Sequence, residues 1–404
     1  MRDTLRYRWV MLALAFSTAF TLHLLLFSYS PLISQMVRDL RLTHAQAGLI
    51  FSACVLPLAL LRIPWGLLCD RVGFRATLSL AVVIIAASGL LRGFAATYEM
   101  LIAIQVILGM GLSAIMPSLP KVVAAWFPRR ETGMATGLYV AGFSLGNVVG
   151  LSLTPYVLSL LGYWRDVFRV YGAWGVILAV MWLTLSRRPA EVNRSSNTVR
   201  SEAPSMDFIA ILRMREVWVL TGLFLCAVGS YDTMSLWLPY VLELKGIQPV
   251  TAGLIATMLP LGFLFAGPVV GTLSDRVGVR RPFTLTLGFI SGPTIFLIGV
   301  TGGIPLWIAT FAAGFCTVGI LTLVLVIPIE SMESTQVSSA IGLISSVGNA
   351  SSILLPIAVG YIKDAMGSFL PALALIAVVA EGALILGLIM KEAGVRDGDT
   401  GVPS

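Results

Sequence analysis

Charged residues are scarce in this chain of 404 residues, because only 12% are Asp, Glu, Lys or Arg while 57% are hydrophobic. A soluble protein is about a quarter charged, so the composition excludes a soluble globular enzyme and a disordered chain. One membrane-spanning helix needs about 20 apolar residues, and twelve such helices would use roughly 240. The remainder suffices for short loops and one longer linker. The sequence therefore predicts a polytopic membrane protein.

Histidine and cysteine are also rare. The chain contains the two histidines His23 and His44 and the four cysteines Cys54, Cys69, Cys226 and Cys316. The cysteines show neither CxxC spacing nor a neighbouring histidine, so they indicate no disulfide framework and no metal site. A Walker loop and a GxGxxG motif at a strand–helix junction are missing as well. We therefore expect no cofactor.

Twelve hydrophobic runs are predicted to span the membrane, at residues 9–33, 46–68, 76–95, 99–125, 134–160, 166–186, 216–241, 250–272, 283–301, 304–328, 338–362 and 368–390. Six of the 27 basic residues fall on one side, three fall within spans (Arg62, Arg92 and Lys121), and the other eighteen share a side with both termini. The positive-inside rule then predicts cytoplasmic termini in the inner, cytoplasmic membrane. The placement of the basic residues on one side of the membrane accounts for the net charge of +7. Because this charge is explained by membrane topology, we expect no nucleic-acid partner.

The longest polar segment divides the spans into six and six. It contains the sequence SRRPAEVNRSSNTVRSEAPSMD, which begins at Ser186 and is too polar to form a core. We predict an N-terminal six-helix bundle at 1–186, a cytoplasmic linker at 187–215, a C-terminal six-helix bundle at 216–391 and a cytoplasmic tail at 392–404.

A ten-residue motif occurs twice in the chain. It reads GLLCDRVGFR at 66–75 and GTLSDRVGVR at 271–280, and the second copy begins 205 residues after the first. Each copy follows an equivalent span. Internal six-span repeats are typical of secondary transporters, whose binding sites lie between the halves near the midplane.

The GxxxDRxGxR pattern resembles the signature loop of the major facilitator superfamily, and the resemblance covers residues 9–390. It implies an all-α integral membrane fold of twelve transmembrane helices in two pseudo-symmetric six-helix bundles, which rock around a central cavity. In that family the loop stabilises the outward-facing state. We therefore expect a gating role for Gly66, Asp70, Arg71, Gly73, Arg75, Gly271, Asp275, Arg276, Gly278 and Arg280. Gly66 and Gly271 are expected to allow close helix approach; alternatively, the motif only fixes topology.

Two cations are predicted to lie inside the membrane at similar depth. Arg62 precedes Asp70 by eight residues and Lys121 precedes Arg129 by eight, which places each roughly 12 Å inward at 1.5 Å per residue. An ionisable residue at such depth is a functional candidate by default, and two cations favour an anionic substrate. The alternative is that structural carboxylates neutralise them, but the first half shows no acidic residue at that depth.

The sequences around both cations resemble the nitrate/nitrite porter and cyanate-permease branches of the superfamily, in Leu61-Arg62-Ile63-Pro64 and in the stretch 119–131. This resemblance implies that Arg62 binds the anion. The nitrate/nitrite branch has a second arginine eight residues before the second motif aspartate, where this chain has Gly267. A cyanate-like anion or a monocarboxylate therefore fits better than nitrate.

Other candidates follow from their positions in the spans. Asn147 and Asn349, each beside a glycine, could donate to a bound anion, although the glycines could instead serve helix packing. Tyr139 and Tyr231 could line the cavity. His23 and Asp232 lie at similar predicted depth in the first and seventh spans. Because histidine titrates near neutrality, the two residues could share a proton at an outer gate. Alternatively, Asp232 is hydrogen-bonded within its own bundle.

These observations predict a secondary active transporter that moves a small organic or inorganic monoanion by alternating access. The candidates are a monocarboxylate, a cyanate-like anion or a nitrate/nitrite-like anion. Because the cell interior is negative, uptake of an anion requires proton symport or exchange for another anion, and the sequence leaves both open. The expected partners are the small anionic substrate, a proton or counter-anion and the lipid bilayer, and the expected state is a monomer.

Rival classes are less well supported. A membrane-embedded enzyme would concentrate histidine and acidic residues, which this chain does not, and a receptor would carry a soluble output domain. A proton-coupled exporter of cationic or lipophilic drugs remains the alternative, with Asp232 as its binding charge. However, this chain lacks two sequence features of the drug/proton antiporter branch. Gln105 occupies the position of the arginine in the fourth span of that branch, and no proline follows Gly146.

Overall fold

The computed structural model describes residues 2–128, 130–187, 208–332 and 334–392, whose regular structure is entirely helical. The α-helices in chain order are α1 (Arg2–Phe27), α2 (Ile33–Asp39), α3 (His44–Leu60), α4 (Arg62–Val72), α5 (Phe74–Leu91), α6 (Tyr98–Leu112), α7 (Ile115–Trp126), α8 (Thr132–Leu161), α9 (Trp164–Leu185), α10 (Phe208–Arg213), α11 (Arg215–Leu244), α12 (Pro249–Ala256), α13 (Met258–Val277), α14 (Arg281–Val300), α15 (Gly303–Ser331), α16 (Ser334–Gly348), α17 (Ala350–Met366) and α18 (Leu370–Ile389).

Eleven continuous segments of the described chain are long and apolar enough to cross a membrane, and the count reaches 12 when the bent pair α3 and α4 is taken as one span. This confirms the all-helical architecture with twelve spans. Most of the predicted linker at 187–215 and of the tail at 392–404 lies outside the described residues, as does Arg129. The predicted domain boundaries therefore stay predictions.

The second span is broken near its middle. The axes of α3 and α4 differ by 48°, and Leu61 separates the two helices. Pro57 lies in the last turn of α3 and Pro64 in the first turn of α4. Because Pro64 has no N–H to donate to the carbonyl of Leu60, the helical ladder is interrupted there. The break places Arg62 at the first position of α4.

The helices pack into two compact units. The first comprises Met1–Arg200, Thr233–Pro260 and Ile353–Ala372. Within it, α1 packs along α8 with almost no space between them, since a Cβ at Gly146 would lie 2.2 Å from the carbonyl oxygen of Phe20. Glycine is needed for so close an approach of two helices, which supports the packing explanation for the glycines of this span.

The second unit comprises Ser201–Asp232, Leu261–Ser352 and Leu373–Ser404. Its apolar core lies among α11, α15, α16 and α18 and includes Leu220, Leu223, Ile320, Ile344 and Ala383, each at most 1% exposed. These residues come from helices that are distant in sequence, so burial of this core holds the unit together.

Arg92, the third cation within the spans, has a structural position. It is fully buried in the first unit, its Nη1 donates to the carbonyl of Leu25 at 2.8 Å, and its guanidinium lies 4.3 Å from the ring centroid of Phe168. Leu25 is in the last turn of α1, where free carbonyls and the helix dipole favour a cation. Arg92 therefore caps α1.

Candidate functional site

The first functional feature is a row of side chains along α4. Arg62, Gly66 and Asp70 are spaced four residues apart and therefore share one face of the helix. Arg62 is half-buried in the middle of the broken span. We call this row, together with Lys121 of α7, the cation row.

Lys121 joins the cation row from the neighbouring helix. Its Nζ donates to Oδ1 of Asp70 at 2.7 Å and to the carbonyl of Gly66 at 3.3 Å. For Lys121, the alternative that a structural carboxylate pairs with the cation therefore agrees with the structure, because the motif aspartate contacts it.

The four motif glycines differ in what they do. Gly73 and Gly278 have φ angles of 85° and 74°, a region that L side chains rarely adopt, and they end α4 and α13. The expected close approach at Gly66 and Gly271 is wrong. A Cβ at Gly66 would make an ordinary 3.7 Å contact with Pro117, and one at Gly271 would meet nothing within 4 Å.

The second copy of the motif forms a buried ion network. The side chain of Arg280 is 3% exposed, and its Nη2 lies 2.5 Å from Oδ1 of Asp275. The same guanidinium donates to both carboxylate oxygens of Glu330 and to Ser274. Bonds to Glu330, and then to Asp275, raise the pKa of Arg280 above its ordinary value. The network connects α13, the α13–α14 loop and the end of α15.

The two copies are thus chemically different despite their similar sequences. Arg75, the counterpart of Arg280, is exposed and donates from Nε to Oγ of Ser186 at 3.2 Å. Arg71 and Arg276 are exposed. In the first copy the aspartate pairs with a lysine from another helix, and in the second copy it pairs with the arginine of its own motif.

Three other candidates meet inside the first unit. His23 on α1 packs against Phe27 and Phe143, with ring centroids 5.4 and 5.1 Å apart. Tyr139 contacts Phe143 from the preceding turn of α8 at 6.3 Å, and Asn147 is fully buried one turn beyond. The structure therefore brings His23 and Tyr139 together around Phe143.

The remaining candidates belong to the second unit. Tyr231 is buried on α11 beside Phe263, with ring centroids 5.5 Å apart, and Asp232 follows it on the same helix. The side-chain amide of Asn349 donates to the carbonyl of Ser345 at 2.5 Å, where α16 gives way to α17. This donor is therefore used by the backbone of its own span. The predicted contact between His23 and Asp232 stays a prediction.

One cluster was not anticipated from the sequence. His44, at the start of α3, contacts both Asp364 of α17 and Tyr240 of α11. The only local signal was the sequence Thr43 to Gln46, a capping box that marks the beginning of a helix. Nothing in it pointed to a partner 320 residues away.

Up to twelve helical spans in the described residues and a motif repeated in both halves are the features of a multi-pass membrane transporter. The family model described as Major Facilitator Superfamily matches residues 15–251 and 238–403. The chain belongs to the major facilitator superfamily, which confirms the resemblance noted from the repeated motif.

The curated relatives compared with this chain have low sequence identity to it. The probable galactarate/D-glucarate transporter GarP of Escherichia coli (strain K12) is 24% identical over 402 residues, which cover 88% of each chain. The D-galactonate transporter of Escherichia coli O6:H1 is 26% identical and covers 93% of each. The probable nitrate/nitrite antiporter NarK1 of Thermus thermophilus is 27% identical over 71% of this chain and 65% of its own length.

A solved structure shares the fold. The bacterial homologue of the human lysosomal transporter Spinster superposes with a TM-score of 0.75 over 95% of both chains, at 18% sequence identity. At this identity the similarity establishes the architecture, which is the major facilitator fold.

Proposed function

We propose that the protein is a secondary transporter of a small organic monoanion, a carboxylate in the size range of a sugar acid. The observation that carries the proposal is the cation row. Arg62 precedes Gly66 by one helical turn of α4, and the carbonyl of Gly66 accepts a hydrogen bond from the ammonium of Lys121. A carboxylate presents two oxygens that match the fork of an arginine, as a phosphate also does.

We propose a monoanion because Lys121 already contacts Asp70, so Arg62 is the one cation of the row that we propose to bind the ligand. The position of a second clamping arginine is occupied by Gly267, and a Cβ there would find only Thr322 within 4 Å. A paired-arginine site for nitrate is therefore not formed at this position, and an organic carboxylate is the better candidate.

The named relatives support a sugar-acid substrate. Transporters named for galactarate and D-glucarate, which are dicarboxylates, and for D-galactonate, a monocarboxylate, align over most of the chain; of these anions D-galactonate has the single carboxylate that we propose. An anion taken up into a negative interior needs a second ion, and we propose proton symport or anion exchange. We also propose an inner-membrane location with cytoplasmic termini, which the distribution of basic residues supports.

The test is uptake by the purified protein in liposomes. Labelled D-galactonate, D-glucarate, nitrate and the lipophilic cation tetraphenylphosphonium would each be supplied with an inward proton gradient and, separately, with internal unlabelled anion. We expect saturable uptake of the monocarboxylate, lost in Arg62→Gln and reduced in Arg62→Lys, since lysine keeps the charge without the fork.

Arg130→Gln is the matched control, because Arg130 is an exposed arginine outside the cation row. It should transport like the wild type. Uptake of the lipophilic cation alone, unchanged in Arg62→Gln, would contradict the proposal and favour a drug exporter. Uptake of nitrate alone would contradict an organic substrate but would agree with an anion-binding site.

A further inference from the structure

A polar and aromatic cluster joins helices of the first and second halves of the chain, at the end that carries the α2–α3 loop. We call it the latch; it consists of His44, Asp364, Tyr240, Trp237 and Phe369. Nδ1 of His44 lies 2.6 Å from Oδ1 of Asp364, and Nε2 lies 3.0 Å from the Tyr240 hydroxyl. The rings of Trp237 and Phe369 flank the imidazole, with centroids 6.3 and 5.8 Å away. The latch thereby ties α3 to α11 and α17.

The Asp364 carboxylate also completes the N-terminal cap of α3. The first backbone amides of a helix have no partner within it. Here the amides of His44 and Ala45 donate to the two oxygens of Asp364 at 3.0 and 2.9 Å. The next amide, that of Gln46, donates to the Thr43 hydroxyl at 3.1 Å. A side chain from the second half of the chain, Asp364, thus caps α3 of the first half. The dipole of α3 favours the negative charge of this carboxylate at the N-terminus of the helix.

The backbones of α3 and α17 are in close contact next to the latch. A Cβ at Gly360 would lie 2.3 Å from the carbonyl oxygen of His44, and one at Gly48 would lie 2.4 Å from that of Pro356. The Ser52 hydroxyl donates to the carbonyl of Ile353 at 2.6 Å. From His44 to Ser52 the contact between α3 and α17 extends over eight residues, about 12 Å along the helix.

We infer that the latch holds the outer end of the transporter closed and that Asp364 is the positioning residue of this closed state. The inference rests on the proposed function, which supplies the alternating access and the sidedness. Opening this end must separate the Asp364 carboxylate from the amides of His44 and Ala45. Those amides and the carboxylate then bond to water, so the net preference for closure is modest. A gate that must reopen in every cycle requires such a balance.

The experiment measures how often the outer end opens. Ser52→Cys, in a background with the four native cysteines replaced by alanine, places a thiol in the contact between α3 and α17. A membrane-impermeant maleimide added to right-side-out vesicles reaches that thiol only when the helices separate. We expect Asp364→Ala to raise the labelling rate about tenfold, the effect of losing a helix cap. Asp364→Asn, which keeps one acceptor oxygen, should fall between Asp364→Ala and the unmodified latch.

A glycine pair provides an independent variant and its control. Gly360→Ala should also raise the labelling rate, because its Cβ would collide with backbone. Gly137→Ala should not, since a Cβ there meets nothing within 4 Å. Melting temperatures of the purified variants, compared with that of the Ser52→Cys protein, separate gating from loss of the fold.

The outcomes are distinguishable. Unchanged labelling in Asp364→Ala, Asp364→Asn and Gly360→Ala would overturn the inference. Because the assay contains no substrate, failure of the anion proposal would not alter its result. A rise confined to inside-out vesicles would support the latch while refuting the proposed sidedness.

Discussion

The buried network around Arg280 gives the most direct test of the energetics, because the repeat supplies a matched control. Arg280→Gln removes a guanidinium that is 3% exposed and that bonds to Asp275 and Glu330. Removing one partner of a buried ion pair costs roughly 3–5 kcal/mol. Asp275 is 64% exposed and Glu330 20% exposed, so water recovers part of the loss. We therefore expect a cost of about 2–3 kcal/mol.

The matched variant is Arg75→Gln, at the equivalent position of the first motif copy. Arg75 is exposed, and Ser186 accepts a hydrogen bond from it at 3.2 Å. Its removal should cost less than about 1 kcal/mol. The similar sequences of the two motif copies would suggest equal effects, whereas the structure predicts unequal ones.

The assay is the melting temperature of the purified protein in detergent. For a cooperative unit of about 150 residues, 1 kcal/mol corresponds to roughly 2–4 °C, so Arg280→Gln should lower Tm by about 5 °C or more. Adding Glu330→Gln to Arg280→Gln should restore part of the loss, because the double variant leaves no unpaired carboxylate on α15. Equal Tm changes for Arg280→Gln and Arg75→Gln would refute the reasoning.

The pH dependence of this effect also has a definite sign. Bonds to Glu330 raise the pKa of Arg280, and a raised pKa contributes stability that is lost only as the pH rises through the folded value. An arginine titrates above about 12 even without such a partner. Titration of Arg280 itself should therefore leave the Tm difference unchanged between neutral pH and pH 9.

Three further predictions concern the candidate site. Lys121→Met should abolish substrate uptake. It should change the free energy of unfolding by less than about 1 kcal/mol, because its partner Asp70 is 68% exposed. Liposome uptake and Tm, measured on the same preparations, test these two expectations. Gly73→Ala should lower Tm because φ is 85° and ψ is 159° there, a conformation that costs a residue with a side chain about 1–3 kcal/mol. Gly271→Ala should leave Tm unchanged, and equal shifts would contradict the role of the backbone conformation. His23→Gln, at the proposed proton carrier, should retain exchange of internal and external substrate but lose uptake driven by a proton gradient, and retained gradient-driven uptake would exclude His23.

The spans could be predicted from the sequence because each is a long and predominantly apolar run. Hydropathy places the fifth span at 134–160, and the helix extends over Thr132–Leu161. The break at Leu61 was not predicted, although Pro57 and Pro64 flank it. A proline inside a transmembrane helix is tolerated when neighbours satisfy the freed backbone groups, so its presence alone does not identify a break.

Residue counting was less successful for side-chain positions than for the backbone. Lys121 was placed at the depth of Arg62 by its distance along the chain from Arg129. Its long side chain instead reaches toward the end of α4 and contacts Asp70 at 2.7 Å. Lysine side chains commonly extend in this way toward a more polar environment. The depth of a Cα atom therefore does not give the depth of a charge at the end of four methylene groups.

The latch could not have been found by inspecting either half alone. Its bonds join His44 to residues 196 and 320 positions away, and none of these residues belongs to a repeated motif. The internal repeat predicts which helices are equivalent, but it does not predict contacts between non-equivalent helices. From the sequence, only the capping box at Thr43 and Gln46 could be recognised. It accounts for the local cap of α3 but not for the cap that Asp364 provides from the second half of the chain.

The broken second span connects the proposed anion site with both gates. The outer end of α3 is capped by Asp364, and the far end of α4 is held by Asp70 and Lys121. Arg62 lies between these contacts, immediately after the break. An anion bound at Arg62, as we propose, would lie where α3 and α4 meet at the bend. A ligand shifts a conformational equilibrium only by its difference in affinity for the two states. We propose that the bend angle at Leu61 is the variable through which a ligand at Arg62 would acquire that difference, because Arg62 is the first residue of α4 after the bend.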